Sequence, residues 1–131
     1  GPVIPRRTAA GSGGRIANKV DGSPVCLVTM TGHRSGKRKT IALMYTAYED
    51  KVLLVASLGG APRHPLWYHN LKAQPEVLIQ VGSEQRRMIA REASKEEKSA
   101  LWPRAVASFP AFAGYQAKTS RDIPLFICAP A

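Results

Sequence analysis

The chain has 131 residues, 44% of them hydrophobic, which suits a single domain with its own core and excludes a disordered protein. Nineteen Lys and Arg against nine Asp and Glu give a net charge of +10 at pH 7. Eight of these cations and only one acid lie in residues 1–40, which indicates an anionic partner for that part of the chain. No apolar run approaches the ~20 residues of a membrane-spanning helix, and no secretory signal is recognisable.

The first half of the chain predicts a tail followed by a β-meander. Residues 1–14 lack periodicity and are predicted to be a flexible tail, opened by a Gly-Pro dipeptide typical of a protease-cleavage scar. The unpatterned sequence continues to residue 22, and one domain is expected over residues 15–131. Alternating and β-branched residues bounded by short polar turns then predict three strands, at residues 24–31, 38–48 and 52–58. The third is apolar throughout and is expected to be buried on both faces.

The second half predicts two or three helices among further strands. Helical spacing predicts a helix over residues 66–73, and alternation predicts strands at 76–81 and 85–92. A capping box at Ser94 and Glu97 starts a helix that runs toward residue 106, which Pro103 is expected to kink or divide. A short helix over 110–118 and a strand over 123–128 complete the chain. About six nearly contiguous strands favour a mainly β (α+β) fold, a small antiparallel barrel with helices outside.

The turn at residues 32–37 has the chemistry of an anion site. It carries two glycines and a serine hydroxyl, and the cations Arg34, Lys37, Arg38 and Lys39 surround it. It lacks the spacing of a nucleotide P-loop, so that identification is rejected. Exposed backbone N–H groups, Arg forks and Lys charges together suit a phosphate. A solvated, positively charged hairpin with no ligand is the alternative reading.

The glycines, histidines and cysteines provide the other candidate sites. Gly59 and Gly60 follow the predicted third strand, where they allow either a close approach by a ligand or a simple tight turn. His64 and His69 are five residues apart and His33 lies in a turn, so no metal site is predicted. The two cysteines are expected to be buried structural thiols in a reducing, cytoplasmic setting. No self-sufficient catalytic group stands out, so a cofactor is expected to bring the chemistry.

Three motifs together resemble a known family. Residues 29–37 (TMTGHRSGK) resemble T-x-T-G-R-K-[ST]-G, and residues 56–71 (ASLGGAPRHPLWYHNL) resemble A-S-K-G-G-x-x-x-x-P-x-W-Y-x-N-L. Residues 115–124 (YQAKTSRDIP) resemble Y-Q-x-x-T-x-R-x-I-P. In this order and spacing they are similar to the deazaflavin-dependent nitroreductases of actinobacteria, with the likeness covering about residues 15–130.

The resemblance implies a split β-barrel that binds the deazaflavin coenzyme F420. It implies a hydride transfer from C5 of the reduced deazaflavin to quinones, activated enones or nitro compounds. The phosphate and oligoglutamate tail of that coenzyme explain the basic N-terminal third better than nucleic acid does, and no nucleic-acid partner is expected. The implied cofactor-binding residues are His33, Arg34, Ser35, Lys39, Thr40, Ile41, Ala42, Leu43, Met44, Val55, Ala56, Ser57, Leu58, Leu66, Trp67, Tyr68, His69, Asn70 and Phe112.

Ser57 and Tyr115 are the implied catalytic residues, as hydrogen-bond donors to the acceptor oxygen, and Tyr115 is also a candidate proton donor. The chain departs from the family pattern by His33 for Arg, Arg34 for Lys, Leu58 for Lys, Ala42 for Pro, and Phe109 and Phe112 for tyrosines. The two phenylalanines predict a more apolar pocket, which favours a quinone or enone over nitro compounds.

Two other functions remain open at this stage. One is an FMN-binding split-barrel oxidoreductase, which the missing lysine at position 58 favours. The other is a non-catalytic protein, either an F420 carrier or a nucleic-acid binder. A monomer or homodimer is expected, with at most weak membrane association through the N-terminal tail.

Overall fold

The computed structural model describes residues 19–20 and 23–131. In this part of the chain eight strands, three helices and one 3-10 turn are present. The strands are β1 (Lys19–Val20), β2 (Ser23–Thr31), β3 (Arg38–Met44), β4 (Thr46–Tyr48), β5 (Lys51–Val55), β6 (Glu76–Val81), β7 (Glu84–Glu92) and β8 (Leu125–Pro130). The helices are α1 (Leu66–Ala73), α2 (Lys95–Ser108) and α3 (Ala111–Lys118), and the 3-10 turn is Leu58–Gly60.

The strands form one antiparallel sheet that curls round on itself. Its order is β1-β2-β6-β7-β8-β5-β4, and β3 pairs with β2 as well. Strand β3 is paired with β2 near one end of this order, whereas β4 lies at the other end, and only Tyr45 separates the two strands along the chain. The ends of the sheet therefore have to lie close together. This confirms the predicted small antiparallel split barrel with helices outside.

The core is divided by β5 and β8. Inward-facing residues of the sheet, such as Val28, Leu54 and Phe126, form one cluster inside the barrel. The opposite face of β5 and β8 packs against α2 and α3 through a second cluster that includes Leu53 and Phe112. Two strands buried on both faces explain the continuous apolar runs in the sequence, because neither face of these strands meets water.

The two cysteines lie in the first cluster, as predicted. Cys26 and Cys128 are almost completely buried. Burial raises the pKa of each thiol to about 12, so neither is a thiolate at neutral pH.

The structure differs from the sequence-based predictions in the bounds of several elements. The last strand, expected over residues 123–128, is β8 over Leu125–Pro130. The single strand expected over residues 38–48 is two strands, because β3 pairs with β2 while β4 pairs with β5. The strand expected over 52–58 ends at Val55, and the chain then turns, with Leu58 at a φ of +45°. Residues 19–20 were read as part of the unpatterned N-terminal stretch but pair with β2. The tail predicted over 1–14 lies outside the described residues.

Helix α2 begins where the capping box predicts. The Ser94 hydroxyl accepts from the Glu97 backbone N–H, the Glu97 carboxylate accepts from the Ser94 N–H, and Arg91 donates two hydrogen bonds to that carboxylate. These donors lower the pKa of Glu97 to about 2. The helix continues through Pro103 and is not divided there. None of the described helices is long and apolar enough to cross a membrane.

Gly60 fixes the position of α3 against the 3-10 turn. Its φ is +82°, and a Cβ there would lie 2.7 Å from the backbone oxygen of Tyr115. Gly59 also has a positive φ, but nothing lies within 4 Å of its would-be Cβ. The sequence suggested that a ligand could approach these glycines closely. At Gly60 it is the backbone of α3 that makes this close approach.

Candidate functional site

A cleft with two adjoining compartments separates the 32–37 turn and β3 from α1. The first, about 460 Å³, is lined by Gly32, His33, Arg34, Ser35, Lys39, Leu66, His69 and Asn70. The second, about 560 Å³, is lined by Met30, Lys39, Ile41, Leu58, Arg63, His64, Pro65, Leu66, Trp67, His69 and Asn70. Four residues, Lys39, Leu66, His69 and Asn70, line both, so the two compartments form one continuous cleft.

The first compartment is lined by cationic and hydroxyl side chains. The turn is closed by the Gly32 N–H donating to the Lys37 carbonyl (2.8 Å) and the Gly36 N–H donating to the Gly32 carbonyl (3.0 Å). Arg34, Ser35 and Lys39 are exposed on the cleft wall. No Asp or Glu is among the described residues that line either compartment. Cationic and hydroxyl groups on a concave wall are suited to holding phosphate or carboxylate groups.

Asn70 joins the turn to α1. Its side-chain oxygen accepts from the backbone N–H of His33 (2.9 Å) and from the His33 ring Nδ1 (2.6 Å). Its amide nitrogen donates to the Met30 sulfur at 3.5 Å. Asn70 is 5% exposed, so this amide connects three elements inside the cleft wall. Asn70 therefore fixes the position of the turn against α1, and its predicted contact with the cofactor stays a prediction.

The second compartment is largely apolar because of strand alternation. Lys39 and Ile41 lie on the cleft face of β3, with Met30 beside them on β2. Thr40 lies on the opposite face, where its hydroxyl hydrogen-bonds with that of Thr29 (2.8 Å). Of the six β3 residues predicted to bind the cofactor, only Lys39 and Ile41 place side chains in the cleft lining. Alternation turns Thr40, Ala42 and Met44 to the other face of the strand.

The other predicted β3 residues, together with Val55 and Ala56, are not among those that line the cleft. Leu43 packs against the first core cluster and Met44 against the second, while Ala42 is exposed. Val55 belongs to the second cluster and Ala56 to the first. These residues could therefore contact a cofactor only through their backbone groups.

The C-terminal aromatic residues lie between α2 and α3. Phe112 is 5% exposed and contacts Phe109 edge to face at 5.0 Å. The ring centroid of Phe112 lies 6.4 Å from that of Tyr115 and 6.4 Å from that of Trp102. These residues are not among those that line the two compartments, although the Tyr115 backbone borders the 3-10 turn at Gly60. The predictions for Phe112 and Tyr115 stay predictions.

Arg121 holds the segment between β5 and α1, a role that sequence reasoning missed. Its guanidinium donates to the carbonyls of Ala56 (3.1 Å), Ser57 (2.7 Å) and Ala61 (3.0 Å). The turn that carries Leu58, with its positive φ, lies between these acceptors. Arg121 is part of the third motif, at residues 115–124, but the sequence does not show which carbonyls it contacts.

The same guanidinium fixes His64. Arg121 Nη1 lies 2.8 Å from the His64 ring Nδ1, and the His64 ring stacks on Tyr68 at 4.0 Å. The Tyr68 hydroxyl donates to Glu92, which also accepts from Lys72. Burial, followed by the charge of Arg121, lowers the pKa of His64. Sequence reasoning considered His64 only as a metal ligand.

The three histidines all line the cleft but do not form a metal site. The His69 ring lies 5.7 Å from that of His33 and 6.2 Å from that of His64. Among the residues that the structure describes, no group of three or more His, Cys, Asp or Glu side chains could hold a metal ion.

Comparison with known proteins gives a consistent result. The family model described as F420H(2)-dependent quinone reductase matches residues 4–130. A protein of Mycobacterium tuberculosis named F420H(2)-dependent quinone reductase is 38% identical over 122 residues, which cover 89% of this chain and 81% of that protein.

Solved structures agree with this. One described as an F420-H2 dependent reductase (FDR-A) has 44% identity and a TM-score of 0.75, covering 80% of this chain and 93% of that one. Another, described as a domain-swapped dimer, has 41% identity and a TM-score of 0.76, covering 89% and 93%. A haem storage protein of Vibrio cholerae, at 12% identity and a TM-score of 0.61, shares the fold alone.

Replacement of Arg121 tests the importance of its contacts for the turn. Arg121→Met leaves three carbonyls without their cationic donor, and we expect the free energy of unfolding to fall by about 3 kcal/mol. Arg121→Lys should recover less than half of this loss, because one ammonium cannot reach all three acceptors. Chemical denaturation measures both values. The control is Arg63→Met, an exposed cation of the same segment, which should change stability by less than ~0.5 kcal/mol. Equal losses in Arg121→Met and Arg63→Met would contradict the assignment.

Proposed function

The chain belongs to the F420H(2)-dependent quinone reductase family, and from this membership we propose that it is an F420H2-dependent oxidoreductase of quinones. Its acceptor would be an apolar quinone or an activated enone, with nitro compounds reduced weakly. The observation that carries the proposal is the continuity of the anion-binding and apolar compartments in one cleft. A cofactor with a ring at one end and a polyanionic tail at the other needs such a cleft.

The cleft residues fit coenzyme F420. His33, Arg34, Ser35 and Lys39 would hold its phosphate and glutamate tail, and the apolar compartment beside Ile41 and Trp67 would hold its ring system. When bound, the reduced deazaflavin supplies a hydride from C5. What the protein contributes is orientation, which can lower a barrier by ~7 kcal/mol or more, and exclusion of water by apolar walls.

Two polar side chains are proposed to act on the acceptor. Ser57 is buried at the end of β5, and Tyr115 borders the 3-10 turn beside it. Both would donate hydrogen bonds to the acceptor oxygen as negative charge develops there. The proposed cofactor site also keeps the other residues predicted to contact the cofactor: Thr40, Ala42, Leu43, Met44, Val55, Ala56, Leu58, Tyr68 and Phe112.

An FMN-dependent reductase is the second candidate, because Leu58 supplies no cation where the family pattern has lysine. Both cofactors carry a phosphate, but only F420 carries a glutamate tail. The non-catalytic alternatives, a carrier or a nucleic-acid binder, would show no hydride transfer. The proposed assembly is a monomer or a homodimer, and one structural relative is described as a domain-swapped dimer.

Titration with oxidised F420 and with FMN, followed by the fluorescence of each cofactor, distinguishes the F420-dependent reductase from the FMN-dependent one. We expect F420 to bind more tightly than FMN, and its affinity to rise with the number of tail glutamates. Arg34→Gln should weaken F420 binding about tenfold, since it removes a charge-assisted donor worth ~1.4 kcal/mol. Arg87→Gln removes the same charge from an exposed position on β7 and should have little effect. Tighter FMN binding would favour the second candidate.

Acceptor preference follows from the apolar compartment. Five of the residues that line it have apolar or aromatic side chains, Met30, Ile41, Leu58, Pro65 and Trp67, which suit an apolar quinone better than a polar nitroimidazole. We expect kcat/KM for a naphthoquinone to exceed that for a bicyclic nitroimidazole by at least tenfold. Comparable turnover of the two acceptors under F420H2 would contradict this preference.

The role of Tyr115 is tested by its phenylalanine variant. Tyr115→Phe keeps the aromatic packing and removes only the hydroxyl, so the expected result is a fall of about tenfold in kcat for quinone with unchanged F420 affinity. The corresponding change at Tyr48, a residue whose ring contacts Arg104, serves as the control. Full activity in Tyr115→Phe would rule out a catalytic hydroxyl.

A further inference from the structure

The protonation state of His64 is decided by its neighbour. Arg121 Nη1 lies 2.8 Å from His64 Nδ1, and a guanidinium has only donors to offer. Nδ1 must therefore present its lone pair. A neutral ring with a free Nδ1 carries its proton on Nε2, so the contact selects one of the two tautomers.

We propose that His64 is a neutral hydrogen-bond donor, acting through Nε2–H on the carbonyl oxygen of the acceptor, and that Arg121 is the positioning residue that fixes this tautomer. The inference rests on the proposed quinone reductase function. It assigns a polar contact to a residue of the compartment that Leu58 and Trp67 also line. A donor fixed in place before the reaction stabilises developing negative charge without reorganisation.

The orientation of the His64 ring is fixed from two directions. One edge accepts from Arg121, and one face stacks on Tyr68 at 4.0 Å with 28° between the planes. Tyr68 is held in turn by its hydroxyl, which donates to Glu92 at 3.2 Å. In the part of the chain that the structure describes, His64 Nε2 has no hydrogen-bond acceptor, and His64 itself lines the apolar compartment. The unused donor is therefore available to a ligand.

The charges around His64 keep it neutral. Arg121 faces it from the segment after α3, Tyr68 and His69 from α1, and Glu92 from β7. Burial, Arg121 and His69 disfavour the imidazolium, and only Glu92 favours it, so the pKa is lowered from its usual value. At pH 7 His64 can therefore donate a hydrogen bond but cannot supply the proton.

The reaction balances without a proton from His64. The quinone takes a hydride, which carries two electrons, and becomes a hydroquinone monoanion. The oxyanion accepts the His64 Nε2–H hydrogen bond while the charge develops, and a proton from water then completes the hydroquinone.

The tautomer can be measured on the protein alone. With ¹⁵N-labelled histidine, we expect the His64 ring to show a protonated Nε2 and an unprotonated Nδ1 at pH 7. It should titrate below the ordinary histidine value of about 6.5. A protonated Nδ1, or an imidazolium at pH 7, would overturn the proposal. This measurement does not depend on any reaction.

The catalytic part is tested with His64→Asn. The asparagine Oδ1 can take the place of Nδ1 as acceptor for Arg121, but its amide does not reach the position of Nε2. We expect an unchanged unfolding midpoint and F420 affinity, with kcat/KM for a naphthoquinone lowered about 10²-fold. His64→Gln, which can place an amide N–H near the position of Nε2, should recover part of the loss.

Wild-type kinetics in His64→Asn, or a matching loss of F420 affinity, would overturn the proposal, because His64 would then serve only Arg121 or the cofactor. If the wild-type protein reduces no quinone with F420H2, the proposed function fails, and the catalytic role of His64 fails with it. The tautomer measurement is unaffected by that result, so the two failures are distinguishable.

Discussion

The guanidinium of Arg121 is the interaction on which the cleft depends. It donates to three backbone carbonyls of the segment between β5 and α1 and to the ring of His64. That segment contains Leu58 in a left-handed conformation, which costs a non-glycine residue of the order of 1 kcal/mol. A single rigid, five-donor group compensates for this strain and for the buried carbonyls at the same time. Gln116 in turn holds Arg121, since its amide donates to the Arg121 carbonyl at 2.7 Å.

The cleft combines two environments because two different elements form its walls. The 32–37 turn supplies cations and is fixed by Asn70 of α1, whereas strands β2 and β3 supply Met30 and Ile41 through alternation. A cofactor that is polyanionic at one end and aromatic at the other matches this division. The protein then needs few chemical groups of its own, because the reduced cofactor supplies the hydride and the protein supplies position.

The polar residues in and behind the cleft are of two kinds. Asn70 and Arg121 form hydrogen bonds with other groups of the protein and fix those residues in place. Arg34, Ser35 and Lys39 remain exposed and are available to a ligand. His64 has features of both kinds, since Arg121 contacts its Nδ1 while the residue itself lines the cleft. A substitution at a residue of the first kind is expected to affect stability before it affects binding.

The sequence by itself determined the antiparallel barrel, the helices, the cationic turn and the family, because hydrophobic periodicity, capping and motif spacing are local properties. It also placed Cys26 and Cys128 in the core. Only the tertiary structure decided which side chains of β3 face the cleft, and that β3 and β4 are separate strands, because both depend on pairing with distant partners. The role of Arg121 and the tautomer of His64 were likewise undetermined, since their contact joins residues 57 positions apart. Long-range hydrogen bonds of this kind leave no periodic pattern in the chain.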